Sequence, residues 1–194
     1  SLQIGYISNS TLVSDLNNGN GIGTGEFLIT DSYGNTGTVT IANSETTVGD
    51  LLNQINRART SDGTPLQIEA TINANGDGIA ISEVVDGTAG TQAIRIEDLD
   101  GRVAEQLGIE GEASGVDADN VISGSEEKTI EFDPDATLED IRNAINSANV
   151  GVSASIINTG SGSSPYRLSL ASENSGEEGR FLIDTGGFDL GMSV

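Results

Sequence analysis

The amino-acid sequence predicts an α+β protein made of two tandem related units, each an antiparallel β-sheet with one short helix packed on a face. Three observations lead there. A segment recurs at an offset of 90 residues: Thr47–Ala58 reads TVGDLLNQINRA and Thr137–Ala148 reads TLEDIRNAINSA. Inside both copies the apolar residues keep a helical period. Around both copies they alternate, which is the period of a strand with one face in water.

The elements follow in order. Leu16–Thr30, LNNGNGIGTGEFLIT, carries Gly19, Gly21, Gly23 and Gly25 ahead of an apolar run. It reads as a glycine-rich turn that leads into a strand. Phe27–Thr30 and Thr38–Ile41 flank the turn DSYGN, in which Asp31, Gly34 and Asn35 favour tight reversal. They predict a hairpin that only the first unit has. Next, Val48, Leu51, Leu52 and Ile55 line one face of a helix. Thr47 is placed to cap it, and Asp50, three residues on, completes an acidic capping box and suits the helix dipole. The helix spans about three turns, too few to stand without a sheet to pack on. Strands are expected around Ile68, Ala70 and Ile72, around Ile79 and Ile81, and around Ile94 and Ile96, with NANGDG and DGTAG as turns between them.

The second copy repeats this order. Ile130 and Phe132 precede a helix whose face is Leu138, Ile141, Ile145 and Ala148, capped by Thr137 and Asp140. Alternating runs follow at Val152, Ala154 and Ile156, at Leu168 and Leu170, and at Phe181 and Ile183. A short terminal turn, Gln106–Ile109, is answered by Asp189–Met192. Thr47/Thr137, Asp50/Asp140, Ile55/Ile145, Asn56/Asn146 and Ala58/Ala148 are identical pairs. Asn56 and Asn146 close the two helices, and a side-chain amide there is expected to tie the helix end to the loop that follows. The polar, acidic stretch Glu110–Ser125 reads as the link between units, with the boundary near 112–118. The expected domains are therefore 1–114 and 115–194.

Charge and composition exclude several classes of function. Asp+Glu number 30 against Lys+Arg 8, a net charge of −22. The arginines and the single Lys128 are scattered, so nucleic acid and anionic membrane find no basic patch. The chain has no Cys, His or Trp. That removes thiol and imidazole nucleophiles, histidine bases and the usual zinc ligands. No apolar run reaches the length of a membrane span, and no signal peptide is visible. The chain starts at Ser1, so it is expected to be a piece of a longer protein whose export signal lies outside it.

The remaining motifs fail on spacing. A dinucleotide fingerprint needs a sixth-position glycine between a strand and a helix. Counted from Gly19 that position is Thr24, from Gly21 it is Glu26, and a strand follows instead of a helix. A phosphate-binding P-loop needs a terminal Gly-Lys, and Lys128 is far away. Asp98 and Asp100, Asp117 and Asp119, and Asp133 and Asp135 alternate as calcium ligands do. A full EF-hand loop also needs glutamate at its twelfth position, and from Asp98 that residue is Ile109. These acids are expected to be solvated loop residues or helix caps. With so many carboxylates, pairs suited to glycoside hydrolysis are unavoidable and carry no weight. No catalytic residue, cofactor or metal site is expected.

The repeated T-x-x-D-[LI]-x-x-x-IN-x-A resembles the flagellin hook IN motif of bacterial flagellar hook-associated proteins and flagellins. The Ile-Asn pairs are Ile55-Asn56 and Ile145-Asn146. The longer stretches TLVSDLNNGNGIGTGEFLITDSYGNTGTVTI and DATLEDIRNAINSANVGVSASIINTGSGSSPYRLSLASENSG are similar to modules of the hook-associated protein 2, or filament-cap, family. The resemblance covers nearly the whole chain. It implies a secreted, extracellular structural part of the flagellum that works with flagellin and other hook-associated proteins and self-associates in the full-length protein. No heptads run at either end, so the chain resembles the outward-facing middle domains of that family. Two other readings stay open from the sequence: a surface adhesion or binding module, with or without calcium, and an insertion domain of a flagellin.

Overall fold

A computed structural model of the chain describes residues 2–85, 87–126, 128–133, 135–148, 151–160, 165–172 and 182–184. The chain forms two compact units. One is residues 7–126; the other combines the described residues of 1–6 and 127–194. The architecture is α+β, and among the described residues every strand pairing is antiparallel.

The chain opens with β1 (Leu2–Gly5), which belongs to the second, flanking unit. It then enters the 7–126 unit through α1 (Leu16–Gly19), β2 (Gly25–Thr30) and β3 (Thr36–Ile41). β2 and β3 form the expected hairpin, with Thr30 facing Thr36 across the DSYGN turn. Gly34 sits there at φ +82°, a backbone region that L side chains avoid. After α2 (Val48–Asn56) come β4 (Ile68–Ile72), β5 (Ile79–Glu83) and β6 (Arg95–Asp100). A short α3 (Val103–Gln106), β7 (Gly111–Glu112) and β8 (Val121–Ser123) complete the unit. Its strands make two sheets, β3-β2-β6-β7 and β4-β5-β8. The alternation read from sequence is the reason: Phe27, Ile29, Ile81, Ile94 and Ile96 all point inward and are fully buried, together with Leu51 and Ile55 from α2.

The flanking unit resumes with β9 (Lys128–Ile130), α4 (Leu138–Ala148), β10 (Val152–Asn158), β11 (Tyr166–Ser172) and β12 (Leu182–Asp184). β1 lies between β12 and β9, with Leu2 opposite Ile130 and Ile4 opposite Lys128. β10 and β11 form a hairpin in register from Val152↔Ser172 to Asn158↔Tyr166. A separate core of Ile130, Ile141, Ile145, Val152, Ala154 and Leu168 sits between α4 and these strands.

Three differences from the sequence reading have physical causes. First, the boundary falls after Glu126, where sequence placed it at 114/115. The polar stretch Glu110–Ser125 looked like a linker, yet β7 pairs with β6 and β8 with β5, and Ala113 and Ile122 enter the larger core. Second, the residues ahead of Ile7 join the far end of the chain, so the 7–126 unit is inserted in the connection between neighbouring strands β1 and β9. Third, among the described residues each unit holds two small sheets. The third strand after each helix leaves its hairpin: β6 pairs with β2, and β12 with β1. Phe132 lies beyond the end of β9; Phe181 and Asp189–Met192 lie outside the described residues.

Both ends of the inserted unit are tied to one turn. The Ile7 N–H donates to the Gly76 carbonyl at 2.7 Å, and the Glu126 N–H to the Asp77 carbonyl at 2.6 Å. The Ser125 hydroxyl bonds the Asp77 carboxylate at 3.1 Å, and the Asn73 amide donates to the Gly124 carbonyl at 3.0 Å. Adjacent residues of the β4–β5 turn therefore hold the chain where it enters and where it leaves.

Candidate functional site

The two repeated segments fold into the same local arrangement. In α2 the Thr47 hydroxyl accepts from the Asp50 N–H at 3.2 Å, and the Asp50 carboxylate accepts from the Thr47 N–H at 3.0 Å. In α4 the Asp140 N–H reaches the Thr137 hydroxyl at 3.2 Å, and the Thr137 N–H reaches the Asp140 carboxylate at 2.9 Å. Each is a reciprocal capping box that satisfies donors left over at a helix start. Both carboxylates sit below the usual aspartate range. For Asp50 the main cause is the Thr47 hydroxyl, helped by the N–H groups of Thr46 and Thr47; for Asp140 it is Thr137, through its side chain and then its backbone.

One helical period on, Val48, Leu51, Leu52 and Ile55 are buried in one copy, and Ile141, Ile145 and Ala148 in the other. Ile55 and Ile145, the isoleucines of the IN pairs, are both fully buried. The adjacent asparagines turn the other way and make matching contacts. Asn56 Nδ2 donates to the Ala70 carbonyl at 2.9 Å, while its Oδ1 accepts from the Ala70 N–H at 2.8 Å. Asn146 Nδ2 donates to the Ala154 carbonyl at 3.0 Å, and its Oδ1 accepts from the Ala154 N–H at 2.7 Å. The sequence pointed to a tie onto the following loop. The partner is instead the backbone of the following strand, β4 or β10, because each helix ends beside the middle of that strand.

The polar atoms of Thr47, Asp50, Asn56, Thr137, Asp140 and Asn146 are thus engaged with the protein's own backbone. The two threonines and two aspartates cap the helix starts, and the two amides hold each helix end onto a strand.

The other candidates resolve in similar terms. In the glycine stretch, Gly25 opens β2 where the register against β6 shifts, and a Cβ there would stand 2.2 Å from the Asp100 carbonyl oxygen. That glycine permits a close approach of two backbones. Asp98 accepts from the N–H groups of Ala104 at 2.9 Å and Glu105 at 3.0 Å, at the start of α3. Asp119, Asp133 and Asp135 are exposed. Among the described residues, no three acids converge as a metal-holding group.

Sequence reasoning passed over several buried polar residues. Asp31, marked only as a turn former, is fully buried and accepts from the N–H groups of Tyr33, Asn35 and Gln67 and from the Asn35 amide. Asn120 is also fully buried. It accepts from the Ile94 N–H at 2.7 Å and donates to the Gln92 carbonyl and the Glu83 carboxylate. Glu83 is held below the usual glutamate range chiefly by the Gly90 N–H. These groups tie Gly90, Gln92 and Ile94 to β5, which is structural work. For Asn120 the sequence carried no signal, since an Asn beside two Asp residues reads as solvent-facing.

A family model described as the flagellin hook IN motif matches residues 114–174. The matched segment contains α4, the Thr137–Asp140 box, Asn146 and the β10–β11 hairpin, and it marks this part of the chain as flagellin-related. The similar segment at 47–58 lies outside the match. No curated protein and no solved structure matches the chain. Among the described residues, no helix is long and apolar enough to cross a membrane.

Proposed function

We propose that this chain is a structural module of the bacterial flagellum: the outward-facing middle domains of a hook-associated, filament-cap type protein that supports flagellin assembly at the filament tip. One observation carries the reading. The flagellin-related segment 114–174 contains an IN asparagine locked onto the next strand, and the same box and lock recur at Thr47, Asp50 and Asn56 outside that segment. A chain that builds the motif twice is using it as a repeated structural part, and the 90-residue spacing supports descent of both copies from one unit.

The module does no catalysis in this reading. The chain lacks thiols and imidazoles, and the hydroxyls and carboxylates of both motif copies are bonded to the backbone. Its partners are flagellin and other hook-associated proteins, and its place is the extracellular filament. The high negative charge opposes non-specific association at such a crowded site. The test is deletion of the parent gene. The expected result is loss of filament growth, with unpolymerised flagellin in the medium. Normal filaments in the deletion strain would overturn the cap role.

A further inference from the structure

We infer that Asn146 closes the free edge of β10 against addition of a strand from a second copy of this chain. The inference rests on geometry alone and does not depend on the flagellar reading. β10 pairs with β11 on one side and is an edge strand among the described residues. In an antiparallel pair, facing residues alternate between those that bond each other and those whose N–H and C=O point outward. Ala154 faces Leu170, and both of its backbone groups go to Asn146. Ala154 is therefore an outward-pointing position at the middle of the strand. A primary amide offers a donor and an acceptor side by side, as a peptide group does, so Asn146 occupies the place a neighbouring strand would take. Asn56 makes the same two bonds to Ala70 on β4, which is likewise an edge strand of its sheet.

β10 itself marks a second copy of this chain as the strand to be excluded. Its seven residues, VSASIIN, contain no charge, proline or glycine, in a chain that is 20% charged. Ser153, Ser155 and Ile157 are exposed on its outer face. An uncharged, β-prone heptad on an open edge is the kind of segment that pairs with its own copy. β4, IEATI, differs in carrying the exposed Glu69, a charge that discourages such pairing. Asn146 thus guards the more hazardous of the two edges.

The experiment compares the full chain with Asn146→Ala, Thr137→Ala and the double variant Asn146→Ala/Ser155→Lys. Mass is read by sedimentation over a concentration series, in roughly 0.5 M salt to screen the net charge. Asn146→Ala is expected to raise the weight-average mass about twofold or more over wild type as concentration rises, the signature of edge pairing. Thr137→Ala loosens the same helix without opening the edge, and it is expected to sediment as wild type does. Ser155→Lys places a charge on the outer face of β10 and is expected to return Asn146→Ala to the wild-type mass. Wild-type behaviour of Asn146→Ala would overturn the inference. So would equal association of Thr137→Ala, or association that Ser155→Lys leaves unchanged, since either means that loss of folding and not an opened edge drives it.

Discussion

Ile55 and Ile145 occupy the same motif position in two separate cores, and both are fully buried. Truncating each to alanine asks whether those cores melt apart. The change removes three carbons from the interior, about 2.4 kcal/mol of transfer free energy at roughly 0.8 kcal/mol per methylene. The cavity left behind adds to that, so the expected loss is about 3 kcal/mol, within the roughly 2–5 kcal/mol seen for such truncations. The flanking unit has about 70 residues, for which each kcal/mol shifts the midpoint by roughly 4–8 °C. Ile145→Ala should therefore lower the melting of that unit by about 12–24 °C. Ile55→Ala sits in the larger 7–126 unit, and its shift should fall at or below the lower end of that range. Scanning calorimetry of wild type and both variants is the assay. Each variant should move one transition and leave the other in place. A single transition that both variants lower equally would refute the separation of cores.

Four further outcomes follow from named contacts. Thr47→Ala and Thr137→Ala each remove a helix cap and should cost about 1 kcal/mol by urea denaturation. The aspartates of the same boxes set a pH dependence. Their folded-state values lie below the free value of 3.8, so their stabilisation is present at neutral pH and is lost as pH falls from there through the folded value. Glu126 has the opposite sign: burial raises its carboxyl above the free value of 4.5, although it accepts the Asn17 N–H at 2.6 Å. Its contribution is fully present below 4.5 and is lost as pH rises through the folded value. Glu126→Gln, which keeps an acceptor without the charge, should therefore raise the melting temperature at pH 7 and not at pH 4. Finally, residues 7–126 produced alone should fold, because Ile7 and Glu126 are held by neighbouring residues of one turn within that unit. Loss of amide dispersion in the proton NMR spectrum of the fragment would show that the flanking unit is required.

What could be read from sequence was whatever depends on neighbours along the chain. The face of α2 shows in the spacing of Val48, Leu51, Leu52 and Ile55, and both capping boxes show in a Thr three residues ahead of an Asp. The β2–β3 hairpin shows in its turn residues. The candidate site was legible as far as its residue types, since the recurrence of Thr, Asp, Ile and Asn singled out the side chains that make the contacts. The partners of Asn56 and Asn146 were not legible. Ala70 and Ala154 lie 14 and 8 residues further on, and nothing in an alanine shows that its backbone faces an open edge. The inward turn of Asn120 was hidden for a similar reason, because its partners Ile94 and Gln92 come from a distant segment.

The nested arrangement is the deepest departure from a tandem reading, and it has a consequence for the motif. A repeat in sequence suggests two beads in a row, each closed on itself. Here the second helix packs on a unit whose first strand, β1, comes from the start of the chain. The LQIG of β1 is too short to show an alternation, and it finds β9 and β12 only once the 7–126 unit has been bridged. Bringing such distant strands together costs loop-closure entropy that grows only slowly with length, by about 0.6 kcal/mol per doubling. If the 7–126 unit folds by itself, its ends clamped to one turn would reduce that cost by shortening the effective loop. The local locks at Asn56 and Asn146 therefore have different settings. One fastens a helix within a contiguous stretch of chain. The other fastens a helix to a hairpin, β10–β11, in a unit whose strand β1 comes from the far side of the 7–126 insertion.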